Sequence, residues 1–294
     1  MTTMTGKTMA IIGCGTMGGA ILSGVLESTA KSQLAGEKPR IEHFIATVQS
    51  QSSAQGLRNK FSKYGESLEV LQADNVSAMR KADIVMLACK PYMADTVLQA
   101  DGVREALEGK LVISVLVGSP PEKLSASIYH AGPRRKDEAE FYIKRVMLNI
   151  AANLGQSISV IETTSMPDEF EEISDWIFQQ VGKTAPVAPE LFDVGGVMAG
   201  VSGALFTVAF DGILDGAVKQ GLKRADAKKM LTQSMFSVAA LLESGEHPAV
   251  LREKYSSPRG TTIEGLLSLE EDRVRYAFSK AVIASSKRSE EIGK

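Results

Sequence analysis

Short apolar runs alternate with helix-like segments through the first part of the chain. The run Asp83–Cys89, DIVMLAC, is almost continuously apolar, which is typical of a parallel strand buried on both faces. Runs of this kind, separated by helical segments, predict an α/β fold with a mostly parallel sheet. The predicted strands are Met9–Ile12, Ile41–Val48, Leu68–Leu71, Asp83–Cys89, Lys110–Val117, Val146–Leu148, Ile158–Ile161 and, at the sheet edge, Thr184–Val187.

Helical segments fill most of the gaps between these strands. Asp74 and Asn75 are good cap residues, and Pro167 opens an amphipathic segment with acidic residues in its first turns. The mixed-charge stretch 130–144 predicts a solvated loop or a short extra helix, and 28–39 a polar loop. The predicted helices are Ala20–Ala30, Asn75–Lys81, Met93–Leu107, Pro121–Tyr129 and Pro167–Gln180.

From Glu190 onward, helical periodicity replaces the strand patterns. We therefore predict an α/β domain over residues 1–188 and an all-helical domain over residues 189–294. The second domain is rich in small residues that permit close helix packing, and pairing with a second copy would bury its apolar faces. A homodimer or higher homo-oligomer is expected. The predicted helices are Phe192–Gln220, Arg224–Glu243, Pro248–Lys254, one that begins at Ile263, and Asp272–Glu291.

Composition narrows the class of protein. The 294 residues include 33 basic and 35 acidic side chains, a net charge of −2, which argues against binding to nucleic acid. Two cysteines cannot build a disulfide framework. The N-terminal residues lack signal-peptide features, and apolar stretches are interrupted before the roughly 20 residues of a membrane span. We expect a soluble, cytoplasmic protein without membrane contact.

A glycine-rich turn, Gly13-Cys14-Gly15-Thr16-Met17-Gly18, follows the first predicted strand and opens the first helix. Gly13 permits the sharp turn, Gly15 the approach of a pyrophosphate, and Gly18 close packing of helix on strand. The free amides at the helix N-terminus favour a phosphate. This context predicts a Rossmann-type dinucleotide-binding domain.

The end of the second strand bears on the choice of cofactor. NAD sites commonly place an Asp or Glu there, to bond the ribose hydroxyls. Here the chain reads Thr-Val-Gln-Ser-Gln-Ser over 47–52, and Ser50, Ser52 and Arg58 are candidate donors to a ribose phosphate. NADP(H) is therefore favoured, with NAD(H) as the alternative. Ser50 is equally a good helix cap.

Two further strand ends carry candidate site residues. The fourth strand stops at Lys90-Pro91, because proline restricts the residue before it. Ligands of open α/β sheets bind at the carboxyl ends of strands, so Lys90 is either at the cofactor's edge or a solvated surface lysine. Asn149 follows the predicted strand Val146–Leu148 and is either a site residue or an ordinary turn residue.

Several stretches together resemble the pyrroline-5-carboxylate reductase family over nearly the whole chain. They are IIGCGTMGGAILSG (11–24), DN (74–75), DIVMLACKP (83–91), RVMLN (145–149) and GEHPAVLREKYSSPRGTTIEGL (245–266). The chain departs from the family pattern at Arg259, where the family has glycine, in the segment Met147–Ala151, and at Gly200–Gly203. Arg259 adds a positive charge near the expected position of an anionic substrate.

The resemblance implies reduction of 1-pyrroline-5-carboxylate, a cyclic imine, to L-proline by hydride transfer from NAD(P)H. It places Thr262 near the imine nitrogen, where it assists protonation, and Gly260 and Thr261 at the substrate carboxylate. A helix cap is the alternative role for these residues. The implied cofactor-binding residues are Gly13, Gly15, Thr16, Met17 and Gly18 at the pyrophosphate, Ser50 and Asn75 near the adenosine ribose, and Cys89, Lys90, Pro91 and Asn149 on the nicotinamide side.

Other activities remain open. The three histidines, His43, His130 and His247, have neither triad nor metal-ligand spacing, so no metal site is predicted. A β-hydroxyacid dehydrogenase would need a lysine on the first long helix after the sheet, and 194–210 has none. An imine reductase for another cyclic imine, or a non-catalytic NADPH-binding regulator, stays as an alternative.

Overall fold

Within residues 4–293, which the computed structural model describes, eight strands form one sheet. The order is β3-β2-β1-β4-β5-β6-β7-β8, and β6–β7 is antiparallel whereas the other neighbours are parallel. The eight predicted strands are confirmed, although β6 begins four residues earlier than expected. The strands are β1 Lys7–Ile12, β2 Ile41–Val48, β3 Leu68–Gln72, β4 Ile84–Leu87, β5 Leu111–Ser114, β6 Tyr142–Met147, β7 Ser157–Glu162 and β8 Gly182–Val187.

The centre of the sheet is fully buried. Met9–Ile12 of β1 and Ile84–Met86 of β4 have no solvent exposure, because helices cover both faces of a parallel sheet. The chain runs outward from β1 to β2 and β3 and then returns to β4 on the other side of β1. The β1–β4 boundary is therefore the topological switch point, where open α/β sheets bind ligands at the strand carboxyl ends.

Helices α1–α8 accompany the sheet. The predicted single helix Met93–Leu107 is wrong, because the chain breaks before Gly102, which has a left-handed φ of 84°. The predicted loop from residue 28 is also partly wrong, since α1 continues to Leu34. The bounds are α1 Thr16–Leu34, α2 Gln51–Lys60, α3 Asn75–Lys81, α4 Ala94–Leu98, α5 Val103–Leu107, α6 Pro121–Ile128, α7 Asp168–Gln179 and α8 Phe192–Gly200.

Five further helices follow. The predicted helix Phe192–Gln220 is interrupted at Val201, so it forms α8 and α9. Contacts divide the chain into one compact unit up to Gly200 together with the residues from Ser286, and a second unit, Val201–Ser285. The predicted boundary after residue 188 stays a prediction. The remaining helices are α9 Ser202–Lys219, α10 Arg224–Glu243, α11 Pro248–Tyr255, α12 Thr261–Glu271 and α13 Val274–Gly293.

The second unit exposes large apolar side chains on α9 and α10. Val208 is 73% exposed and Phe236 67%. The stretch Pro189–Lys219 is long and apolar enough to cross a membrane on length and composition alone, and only 11% of its most apolar window is buried. An apolar helix face that a partner chain covers has the same properties.

Candidate active site

The glycine turn lies at the switch point of the sheet. Gly13 has φ 80°, and a Cβ there would lie 2.6 Å from the Cα of Cys89, two residues after β4 ends. A Cβ on Gly18 would come within 3.0 Å of Ile11 Cγ2, so this glycine lets α1 pack directly on β1. At Gly15 the nearest atom would be 4.0 Å away, which leaves open space beside the turn. The strand-turn-helix arrangement predicted for this stretch is confirmed.

The first turn of α1 fits a pyrophosphate. Gly15 is its N-cap residue, no side chain caps the helix, and no acidic residue lies in its first turn. The first amides of a helix have no intrahelical acceptor, so those of Thr16, Met17 and Gly18 are available to an anion. The helix dipole adds a favourable potential for negative charge at this position.

A cleft of about 500 Å³ extends from this turn along the carboxyl ends of the strands. Eight of the predicted cofactor-binding residues line it: Gly13, Gly15, Thr16, Met17, Asn75, Cys89, Lys90 and Pro91. Sequence patterns missed the other part of its wall, which includes Thr47, Gln49, Ser53, Met93, Val115, Val117, Met147, Leu148 and Ile150. The apolar members come mainly from the loop after β5 and the end of β6.

Thr47 connects the turn to the cleft wall. Its side chain accepts a 3.2 Å hydrogen bond from the Gly13 amide and donates a 2.7 Å bond to Oδ1 of Asn75. Its carbonyl accepts a 2.7 Å bond from the amide of Cys14. Thr47 is only 1% exposed, whereas its partners Gly13 and Asn75 are half-buried beside the cleft. The signal in the sequence is a polar residue directly after the apolar run Phe44–Ala46 of β2.

Ser50 caps α2 and does not line the cleft. Its hydroxyl accepts a 3.2 Å bond from the amide of Ser53 and lies 2.9 Å from the Ser53 hydroxyl. Gln49 and Ser53 line the cleft in this region, and no carboxylate follows β2 there. Arg58 donates a 2.7 Å bond to the carbonyl of Val70 and is not part of the cleft wall.

The other predicted residues at strand ends differ in their surroundings. Burial raises the pKa of the Cys14 thiol to about 12 and also raises the pKa of Cys89, so both thiols are protonated at neutral pH. Lys90 is exposed at the rim of the cleft.

The Asn149 side chain accepts a 3.0 Å bond from the Ala151 amide and donates a 2.9 Å bond to the Ala199 carbonyl. It holds the 3₁₀ turn Ile150–Leu154 and does not itself line the cleft.

In the second unit, the predicted substrate residues lie together at the start of α12. Gly260 is the N-cap residue, and Thr261 and Thr262 form the first turn, without a side-chain cap. A Cβ on Gly260 would overlap Ser257 Oγ and lie 3.0 Å from the Ser257 carbonyl oxygen. Arg259 is exposed and has φ 59°, the left-handed conformation that glycine adopts most easily.

Comparisons with known proteins match both parts of the chain. Residues 189–292 match the family model for pyrroline-5-carboxylate reductase dimerisation, and residues 8–118 the model for NADP oxidoreductase, coenzyme F420-dependent. A pyrroline-5-carboxylate reductase of Lophium arboricola is 38% identical over 98% of this chain and 93% of the relative. The chain belongs to the pyrroline-5-carboxylate reductase family. A reductase of the same name from Neurospora crassa is also 38% identical, over 94% of this chain and 90% of the relative.

The similarity to this family extends from the sequence to the fold. The Plasmodium falciparum pyrroline carboxylate reductase with NADP bound shares 23% identity, with a TM-score of 0.81, over 99% of this chain and 100% of that one. The predicted family and fold class, a Rossmann-type domain followed by a helical C-terminal part, are confirmed. Among residues 4–293, no group of three or more His, Cys, Asp or Glu side chains is arranged to hold a metal ion.

Proposed function

We propose that the protein reduces 1-pyrroline-5-carboxylate to L-proline with a hydride from a nicotinamide nucleotide. The observation that carries this proposal is the near-full-length match to reductases of that name. The glycine turn and the cleft at the switch point supply the cofactor half of such a site, on grounds that do not depend on the match.

The reaction adds a hydride to the imine carbon and a proton to the nitrogen. When bound, the nicotinamide supplies the hydride, so this chain's residues need to bind, orient and exclude water. The amides at the start of α1 bind the pyrophosphate, and Thr47 fixes the carboxamide of Asn75 in the wall. The apolar side chains of Val115, Val117 and Met147 line one part of the cleft, where they disfavour water.

The start of α12 is the proposed substrate half. The amides and hydroxyls of its first turn suit a carboxylate, which Gly260 and Thr261 hold. Thr262 assists proton delivery to the imine nitrogen, which is basic enough to need no strong acid. Arg259, exposed beside this turn, adds a positive charge that attracts the anionic substrate.

NADP(H) is the proposed cofactor, in preference to NAD(H). The proposal is supported by the lack of a carboxylate after β2 and by the hydroxyl and amide groups of Gln49, Ser50 and Ser53 in that region. Steady-state KM values for NADPH and NADH, compared with those of a Ser50→Asp variant, test it. A wild-type preference for NADH would contradict it.

A homodimer or larger homo-oligomer in the cytoplasm is the proposed state of the protein. The dimerisation model covers 189–292, the same region in which α9 and α10 expose Val208 and Phe236. Pairing of these helices would bury apolar surface, which stabilises the pair by about 25 cal/mol per Å² of surface buried. Light scattering coupled to size exclusion measures the mass directly, and a monomer at micromolar concentration would contradict the proposal.

One assay tests the function itself. NADPH oxidation is followed with 1-pyrroline-5-carboxylate and, in parallel, with other cyclic imines. Turnover is expected with the carboxylate-bearing five-membered ring and should be weaker with the others. Faster turnover of a different imine would favour the imine reductase alternative, and NADPH binding without turnover of any imine would favour the regulator.

A further inference from the structure

The carboxylate of Asp193, at the start of α8, joins two segments that are distant in sequence. Its Oδ1 accepts a 2.7 Å hydrogen bond from the hydroxyl of Ser289, near the end of α13. The same oxygen lies 3.2 Å from Nη2 of Arg145, a side chain of β6 that is 8% exposed. The Arg145 guanidinium also lies 4.1 Å from the ring centre of Phe192. The end of α13 is thus attached, through one carboxylate, to the strand that ends at Met147.

Helix α8 is itself seated against one wall of the cleft. A Cβ on Gly196 would lie 3.3 Å from Cγ of Met147, which lines the cleft. The carbonyl of Ala199 accepts the 2.9 Å bond from Asn149, whose neighbours Leu148 and Ile150 also line it. The position of α8 therefore affects where the Met147–Ile150 wall lies.

The next residues of α13 contact a second segment of the wall, the loop after β5. A Cβ on Gly118 would overlap Cγ2 of Ile292 and lie 2.8 Å from its Cβ, so the two residues are in direct contact. Gly118 has φ 65° and directly follows Val117, which lines the cleft together with Val115. All these residues belong to the first compact unit, which includes the chain from Ser286 onward.

We propose that Ser289–Ile292, in the last helical turns of α13, position the walls of the cofactor cleft. Ser289 holds the wall that ends at Ile150, through Asp193, and Ile292 holds the loop Val115–Gly118. Neither residue lines the cleft, so they act by fixing the positions of two neighbouring wall segments, which follow the adjacent strands β5 and β6. The inference rests on the pyridine-nucleotide cleft and is independent of which imine is reduced.

The test is NADPH binding to the full-length enzyme without substrate. The chain has a single tryptophan, Trp176, whose energy transfer to bound NADPH reports the Kd. In Ser289→Ala/Ile292→Ala, loss of the hydroxyl and of the Gly118 contact should raise the Kd about three- to tenfold. The KM for NADPH should rise in parallel, with kcat at saturating NADPH within about twofold of the wild type. Deuterium uptake at 115–119 should increase in the apo enzyme.

Two variants serve as controls. Ser279→Ala lies on the same helix and removes a hydroxyl that bonds only the Arg275 carbonyl of its own helix, so its Kd should equal that of the wild type. Ser289→Thr keeps the hydroxyl and should retain wild-type affinity. Should the double variant unfold, Ser289→Ala alone is measured, with deuterium uptake followed at 147–150, the segment that Ser289 holds. A folded variant with the wild-type Kd and unchanged deuterium uptake in the segment whose contact it has lost would overturn the proposal.

Discussion

The hydroxyl of Thr47 donates a 2.7 Å hydrogen bond to the carboxamide oxygen of Asn75 and, with its own oxygen, accepts the amide of Gly13. One buried side chain therefore fixes both the glycine turn and a residue of the cleft wall. Because Thr47 is only 1% exposed, loss of its hydroxyl would leave the Gly13 amide and the Asn75 oxygen with poorer hydrogen-bond partners.

Replacing this hydroxyl tests its role. Thr47→Val keeps the shape and removes both side-chain bonds, so we expect a loss of about 1–3 kcal/mol in the free energy of unfolding. The Kd for NADPH should also rise, because Asn75 loses its orientation. Urea unfolding and NADPH titration measure the two effects, with Thr47→Ser as the control that keeps the hydroxyl. Wild-type values for Thr47→Val in both assays would contradict this prediction.

The contact of Gly13 with Cys89 predicts a large effect of one methyl group. In Gly13→Ala the added Cβ meets backbone atoms of Cys89 at 2.6 and 2.8 Å, and φ is positive. We expect a loss of at least about 2 kcal/mol in the free energy of unfolding and no measurable NADPH binding. Gly36→Ala is a matched control, because φ is 74° there and nothing lies within 4 Å. Gly36→Ala should lower the free energy of unfolding by about 1 kcal/mol. Equal losses of stability in the two variants would show that the positive φ, and not the clash with Cys89, causes the effect.

The charged loop 130–141 predicts a dependence of stability on pH. The Arg104 guanidinium donates to Glu138, whose side chain is 1% exposed, and this lowers the pKa of that carboxyl from its ordinary value of 4.5 to about 2. Because the folded pKa is the lower one, the stabilisation is full above pH 4.5 and is lost as the pH falls toward 2.

Arg104→Met should therefore unfold at lower urea concentration than the wild type at pH 7, and the gap should shrink between pH 5 and pH 2.5. The control is Arg134→Met, which breaks the 3.4 Å Arg134–Glu140 pair between side chains that are 44% and 61% exposed. Exposed pairs of this kind stabilise by at most about 1 kcal/mol, so little change is expected. A gap for Arg104→Met that is independent of pH would contradict the assignment to Glu138.

Arg259 combines a strained backbone angle with an unusual charge. Arg259→Gly should stabilise the fold by about 1 kcal/mol, since glycine adopts a φ of 59° without strain. The KM for pyrroline-5-carboxylate should rise about two- to fivefold through the lost charge. Arg273, with φ 54°, offers the matched change Arg273→Gly, which should stabilise without affecting KM. If both variants leave KM unchanged, Arg259 has no part in substrate attraction.

The hydroxyl of Thr262 is expected to matter for the chemical step. Thr262→Val should lower kcat about tenfold, and Thr262→Ser should keep most of it, because serine retains the hydroxyl in the first turn of α12. Circular dichroism checks that α12 is retained. Activity of Thr262→Val equal to that of the wild type would remove Thr262 from the mechanism.

The strands and the glycine turn could be predicted from sequence because each depends on local patterns. Asp83–Cys89 is apolar because both faces of β4 are buried, and Gly13 occupies a position where a side chain would clash. The helix breaks were harder. The first break ends at Gly102, whose left-handed φ of 84° the helical pattern did not indicate, and the second falls at Val201, which is neither glycine nor proline.

The remainder of the cleft could not be predicted, because it depends on which strand ends lie side by side. Val115, Met147 and Thr47 line the same cleft because the sheet order brings their strand ends together, which their local sequences do not indicate. Asn149 shows the opposite case. It stands at a strand end as expected, but its side chain turns to Ala199 and Ala151, a choice that follows from the packing of α8.

The serines at the start of α2 have a consequence for how the protein can evolve. Ser50 and Ser52 are exposed and bond to each other, and the side chain of Ser53 bonds to Ser50, whereas Thr47 is buried and Gly13 has no room for a side chain. Amino-acid changes that retune the preference between phosphorylated and unphosphorylated nucleotides can therefore accumulate on this surface turn at little expense to folding. Selection for cofactor preference and selection for stability therefore act on separate groups of residues.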